Sequence, residues 1–266
     1  MVTIEDAIKF REELKYNECI ETLKILMDDN NKDAYELYAT LCFNGEGIEK
    51  NIEQSVELFT KAANLGSSRA MFNVASMYHS GLGVEVNVEK ALEFYNEAAN
   101  LKDLKALQRL AGIYLQGEGV EVNYPIAMEY LKRAGLEGDF EAQHIVGDMY
   151  LNGACGEVNY KEAIKYFELA ASANYLESYG VLGCIYLNGW GVDVDLNKVV
   201  FYWGTAAEHQ HVLSQYGMGI LYQNGTGVKQ DLNKAFELLS IAAQRNLDLA
   251  QEALQNPIYD ELKQNS

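Results

Sequence analysis

The chain has 266 residues, 48% of them hydrophobic, and its 21 basic against 39 acidic residues leave a net charge of −18. That surplus of acid argues against nucleic acid and anionic lipid as partners and favours a basic protein or peptide. No run of about 18 apolar residues is available to span a membrane. Early acids from Met1 to Asp6 leave no room for a secretory signal, so a cytoplasmic chain is expected. Cys19, Cys42, Cys155 and Cys184 form no C-x-x-C and no paired spacing, which suits a reducing compartment better than a disulfide framework.

Residues 1–30 read as a helical entry cap. Thr3 is placed to cap a helix through about Leu14, and Asn17 to cap a second one reaching about Asp28. Ile20, Leu23, Ile25, Leu26 and Met27 are dense enough to cover the open end of an array, as a terminal repeat must.

From residue 31 the chain repeats every ~36 residues, an interval that signals a solenoid. Small residues recur at Ala34, Ala70, Ala106, Ala142, Ser178, Ser214 and Ala250, and again at Ala39, Ala75, Ala111, Gly147, Gly183 and Gly219. Apolar columns at Tyr38, Val74, Leu110, Val146, Leu182 and Met218, and at Leu41, Met77, Ile113, Met149, Ile185 and Leu221, complete one buried face of a first helix, helix A. A tyrosine ladder, Tyr78, Tyr114, Tyr150, Tyr186 and Tyr222, closes it.

A G-x-G loop follows, with Gly117 and Gly119 as one instance, and its glycines predict positive φ or tight backbone approach. Four residues on, Asn51, Asn87, Asn123, Asn159, Asp195 and Asp231 are predicted to cap helix B. That helix carries paired aromatics such as Tyr202-Trp203 and paired alanines such as Ala170-Ala171. It ends at Gly66, Lys102, Gly138, Asn174, Gln210 and Asn246, a column suited to a left-handed cap. The fourth loop, Gly153-Ala154-Cys155-Gly156, lacks the second glycine of the pattern, and Gly156 is expected to take the strained conformation instead of Cys155.

The pattern A-x-x-x-[LV]-[AG]-x-x-Y-x-x-G-x-G-V, followed by [ND]-x-x-x-A and a small-residue pair, resembles the Sel-1-like repeat family, relatives of tetratricopeptide repeats. The resemblance covers residues 31–256, ending in a seventh helix A from Leu247 to Gln255. Residues 257–266 are left as an exit cap or tail after Pro257. It implies an all-α fold: a right-handed α/α superhelical solenoid of about seven two-helix repeats, here read as one domain, with helix A lining a concave surface. It also implies an adaptor for protein complexes, and some bacterial members look like immunity or virulence-associated proteins.

No catalytic set emerges, because nearly everything conspicuous is repeated, and repetition favours structure. The loops lack the third glycine and preceding strand of a dinucleotide site, and no phosphate-binding G-x-x-x-x-G-K-[ST] occurs, so no cofactor is expected. His79, His144, His209 and His211 form no metal motif. Glu85, Glu89, Glu93 and Glu97 recur every four residues as a solvated ridge on helix B. Variable positions of helix A are the candidate partner surface: Arg69, Phe72, Asn73, Ser76, Gln108, Arg109, His144, Ile145, Asp148, Val181, Cys184 and Tyr216. The leading expectation is a non-catalytic adaptor with a basic protein or peptide in its groove. The alternative is an inhibitor or immunity protein that neutralises a basic toxin enzyme.

Overall fold

A computed structural model describes residues 2–264, so Met1 and the last two positions of the expected exit segment lie outside the described residues. Every regular element among them is helical. The chain forms two compact units, one up to Glu137 and one from Gly138.

The first unit holds α1 (Ile4–Glu12), α2 (Tyr16–Asp28), α3 (Lys32–Asn44), α4 (Ile52–Asn64), α5 (Ser68–Ser80), α6 (Val88–Asn100), α7 (Leu104–Gln116) and α8 (Tyr124–Leu136). The second holds α9 (Phe140–Leu151), α10 (Tyr160–Ser172), α11 (Leu176–Asn188), α12 (Leu196–Glu208), α13 (Val212–Asn224), α14 (Leu232–Gln244) and α15 (Asp248–Leu254). A 3-10 turn at Pro257–Tyr259 and α16 (Asp260–Gln264) complete it. From α3 onward, odd-numbered helices through α15 are helix A and even-numbered helices through α14 are helix B.

The capping chemistry explains the regular boundaries. All six predicted Asn and Asp residues accept a backbone N–H of the first turn of helix B. Each of them also donates its own backbone N–H to helix A; Asn87, for example, reaches the Tyr78 carbonyl at 2.9 Å and Asn123 the Tyr114 carbonyl at 2.8 Å. One residue thus starts helix B and ties it to the end of helix A, so the loop has a single length and path. The loop glycines earn their place by contact. At Gly119, where φ is 73°, a Cβ would sit 2.7 Å from Val88 Cγ2 at the start of the preceding helix B. The tyrosine ladder fastens the other side of the four hairpins from α5 to α12: Tyr78 stacks on Phe94 and Tyr186 on Tyr202, with centroids 6.3 and 5.8 Å apart, and Tyr114 and Tyr150 stack likewise on Tyr130 and Tyr166.

Helix B ends as expected in a left-handed residue, from Gly66 (φ 86°) through Lys102, Asn174 and Gln210 to Asn246 (φ 64°). The fourth loop also follows expectation. Its helix A stops one residue early, at Leu151, and Gly156 takes φ 139° while Cys155 stays out of the left-handed region.

Two expectations for the entry cap fail. Asn17 caps nothing: α2 begins at Tyr16, behind Lys15, which makes no side-chain cap. The break is made instead by Leu14, held at φ 59° with Lys15 N–H donating to the Phe10 carbonyl. Ile25 is 52% exposed, so Ala7, Cys19, Ile20, Leu23 and Leu26 form the cap's core without it. At the other end, Tyr259 is fully buried and its hydroxyl donates to Gln223 at 2.9 Å, sealing the core around Leu239 and Ala242.

Candidate functional site

In the first unit the variable positions of α3, α5 and α7 carry charges that find partners nearby. Glu36 is buried, accepts a hydrogen bond from the Ser67 hydroxyl at 2.8 Å, and pairs with Arg69 Nε. Arg69 is therefore oriented by a buried acid while most of its side chain stays in solvent. Arg109 donates twice to Glu118, at 3.1 and 2.6 Å, and holds that carboxyl below the usual carboxylate range. His79 Nε2 lies 3.3 Å from the same carboxylate.

Between these pairs lies Tyr95 of α6, almost fully buried, whose hydroxyl is 3.0 Å from Ser76 Oγ and whose ring tilts against Phe72 at 5.6 Å. Asn73 and Ser76 border a cleft of about 280 Å³ whose apolar floor includes Phe43, Phe59 and Met77. Asn73 also borders a second cleft of about 540 Å³ beside Arg11 and Arg69. Gln108 is exposed on α7.

In the second unit the same columns build something different. His144 Nδ1 is hydrogen bonded to Ser178 Oγ at 2.8 Å, its Nε2 lies 3.4 Å from Asp148, and its ring rests on Phe167 and Tyr175. These are the side-chain types of a nucleophilic triad, but Ser178 has no exposed surface. No carbonyl can reach its hydroxyl, so the group is a buried polar staple between α9 and α11. Burial pushes the His144 pKa down. It pushes the Cys184 thiol up, the opposite of an activated nucleophile. Among the described residues no three His, Cys, Asp or Glu side chains converge as metal ligands.

Ile145 is half-buried, Val181 packs against the Phe167 and Leu182 cluster, and Tyr216 packs against the cluster around Leu239. His144, Val181 and Cys184 share a pocket of about 350 Å³ with Trp190, Trp203 and His211. By sequence Trp203 is one of the paired aromatics of helix B, and Trp190 is the variable middle residue of a G-x-G loop. A signal was present in the glycines of helix A. A Cβ on Gly217 would lie 2.7 Å from Trp203 Cε3, one on Gly183 would overlap the indole, and Trp203 Nε1 donates to the Gly180 carbonyl at 2.9 Å. His211 was also readable: it stands in the column of Asn31, Ser67, Asp103 and Asp139 and, like them, accepts from the first turn of its helix, here from Ser214 N–H.

The Sel1 repeat model matches six consecutive segments, 32–67, 68–103, 104–139, 140–175, 177–211 and 212–247. The chain belongs to the Sel1 repeat family, and its fold is an α/α solenoid. Among solved structures it is similar to a protective antigen of uropathogenic Escherichia coli with an SLR fold, at 21% identity and a TM-score of 0.79 over 97% of this chain. It spans 57% of that protein's length. It is also similar to a Sel1 repeat protein of Oxalobacter formigenes, at 24% identity and a TM-score of 0.62 over 91% of this chain and 100% of that one. An immunity protein of Pseudomonas aeruginosa matches at 20% identity and a TM-score of 0.40 over 82% of each chain, too loose a likeness to bear on function. Identities at these levels speak to fold alone. No curated protein matches the sequence, and no helix among the described residues is long and apolar enough to cross a membrane.

Proposed function

We propose that this chain is a non-catalytic interaction scaffold that holds a basic protein or peptide against its helix A faces. The observation that carries this reading is that clefts in both units are lined by helix A positions that the repeat leaves free to vary, including Asn73, Ser76, Val181 and Cys184. Exposed and half-buried apolar groups beside polar ones are the usual composition of a protein-binding hot spot. Glu89, Glu93 and Glu97 form an exposed acidic ridge on helix B, while Glu85, expected on the same ridge, lies in the loop before the Asn87 cap; the ridge is suited to steering a basic partner inward from a distance. The cysteine pattern fits a reducing compartment, and work in the cytoplasm is part of the proposal.

The test is capture of partners from the native organism's extract at low and high salt, by the parent chain and two variants. Phe72→Ala with Tyr216→Ala is expected to abolish capture, and Glu93→Gln with Glu97→Gln to weaken it only at low salt. Capture that survives the first pair and is lost with the second at every salt would put the partner on the helix B ridge. One dominant basic protein released by salt would mark a dedicated, charge-steered partner, the behaviour an inhibitor of a basic enzyme would show. Several proteins held at both salts would mark an adaptor whose apolar contacts carry the affinity.

A further inference from the structure

The chain has two tryptophans, and both line the pocket of the second unit. Trp190 is 38% exposed at the loop after α11, and Trp203 is seated between Gly183 and Gly217. Val181, Leu151 and Leu213 supply apolar walls, and Glu177, exposed in the first turn of α11, supplies a carboxylate. The pocket's lining contains no Lys or Arg. Nor do α9, α11 and α13, whose charged residues are Glu141, Asp148 and Glu177.

We propose that this pocket receives an arginine side chain of the basic partner, its guanidinium stacked on the indole surface and paired with Glu177, its aliphatic stem against Val181 and Leu213. The inference rests on the interaction-scaffold reading and makes it specific. Indole is the best aromatic face for a cation, and the weakly hydrated, planar guanidinium tolerates apolar walls better than the ammonium of lysine does. A volume of about 350 Å³ suits one long side chain and excludes a helix. The two histidines of the lining do not oppose a cation at neutral pH, because burial lowers the pKa of both His144 and His211.

The two indoles make the pocket its own reporter. The full-length chain is titrated with the tryptophan-free peptide acetyl-Gly-Arg-Gly-Arg-Gly-amide and with its leucine counterpart, following tryptophan emission. The arginine peptide is expected to give a saturable change, weakened about fivefold or more by Glu177→Gln or Trp190→Ala and untouched by Glu93→Gln on the helix B ridge. In Trp190→Ala, Trp203 remains as the reporter, and its emission maximum shows whether the pocket still folds. The proposal is overturned if the leucine peptide binds as well, if Glu93→Gln weakens binding as much as Glu177→Gln does, or if neither peptide moves the emission. Any of these results alongside partner capture that still depends on Phe72 removes the arginine pocket alone. Capture insensitive to every helix A change removes the scaffold reading beneath it.

Discussion

The helix A faces of the two units follow one backbone pattern and carry opposite chemistry. In the first unit, α3, α5 and α7 bear Lys32, Arg69, Lys105 and Arg109 against Asp33 and Glu36, and both arginines are tied to carboxylates. In the second, α9, α11 and α13 bear acids without a base, two histidines at its pocket, and glycines where the first unit has larger residues. Alanines 39, 75 and 111 become Gly147, Gly183 and Gly219, and these let Phe167, Trp203 and Leu239 lie closer to helix A. Columns that repeat fix how helices pack. The glycine substitutions within them, together with the variable positions, decide what each face can hold.

The sharpest way to break this contrast is Gly183→Ala, which gives the second unit the first unit's residue. The new methyl would overlap the Trp203 indole, and the expected loss is about 3 kcal/mol on thermal or urea unfolding, with a shift in tryptophan emission. Adding Trp203→Leu, the residue at the equivalent positions 131 and 239, should restore most of that stability while leaving the pocket unable to bind the arginine peptide. No rescue would mean that the glycine answers some constraint other than the indole.

A smaller effect is expected from Gly156→Ala, because φ there is 139° and nothing lies within 4 Å of the added methyl. Strain alone should cost about 2 kcal/mol in an unfolding titration, and an unchanged midpoint would contradict it. In the first unit, Tyr95→Phe removes the hydroxyl contact with Ser76 and should cost about 1 kcal/mol without altering tryptophan emission, since both indoles belong to the other unit.

Much of this architecture was legible in the residues. The Asn and Asp columns, the left-handed ends of helix B and the migration of strain from Cys155 to Gly156 are local consequences of side-chain and backbone chemistry; the first two recur in every repeat, and the third is read as the single break in that recurrence. The binding face was less legible. Glu36 stands in the same column as Phe72, Gln108 and His144, yet it is buried because Ser67 and Arg69, 31 and 33 residues away, satisfy it. Trp190 stands at the variable middle position of its G-x-G loop, and its pocket exists only through distances between α9, α11, α12 and α13 that no spacing rule supplies. The start of the second cap helix is not legible, because Leu14, a residue type that seldom takes a left-handed conformation, makes the break in place of the better-suited Asn17.

The smallest effect expected is on pH dependence. The folded-state pKa of His211 is lowered by burial, with Glu177 opposing the shift only in part. Between that value and the ordinary value near 6.5, the unfolded chain binds a proton that the folded chain does not, so stability falls as pH is lowered through the window. His211→Asn keeps a capping side chain and removes the titration. Its melting temperature should therefore fall less than the parent's between pH 7.5 and 5, and equal slopes would count against the assignment.

Hydrogen–deuterium exchange of the full chain, with and without the partner it captures, addresses the helix A face most directly. New protection is expected on α3, α5 and α7 and on α9, α11 and α13, deepest around Val181 and Trp190. Protection confined to the helix B ridge, with the helix A faces exchanging as before, would contradict the account.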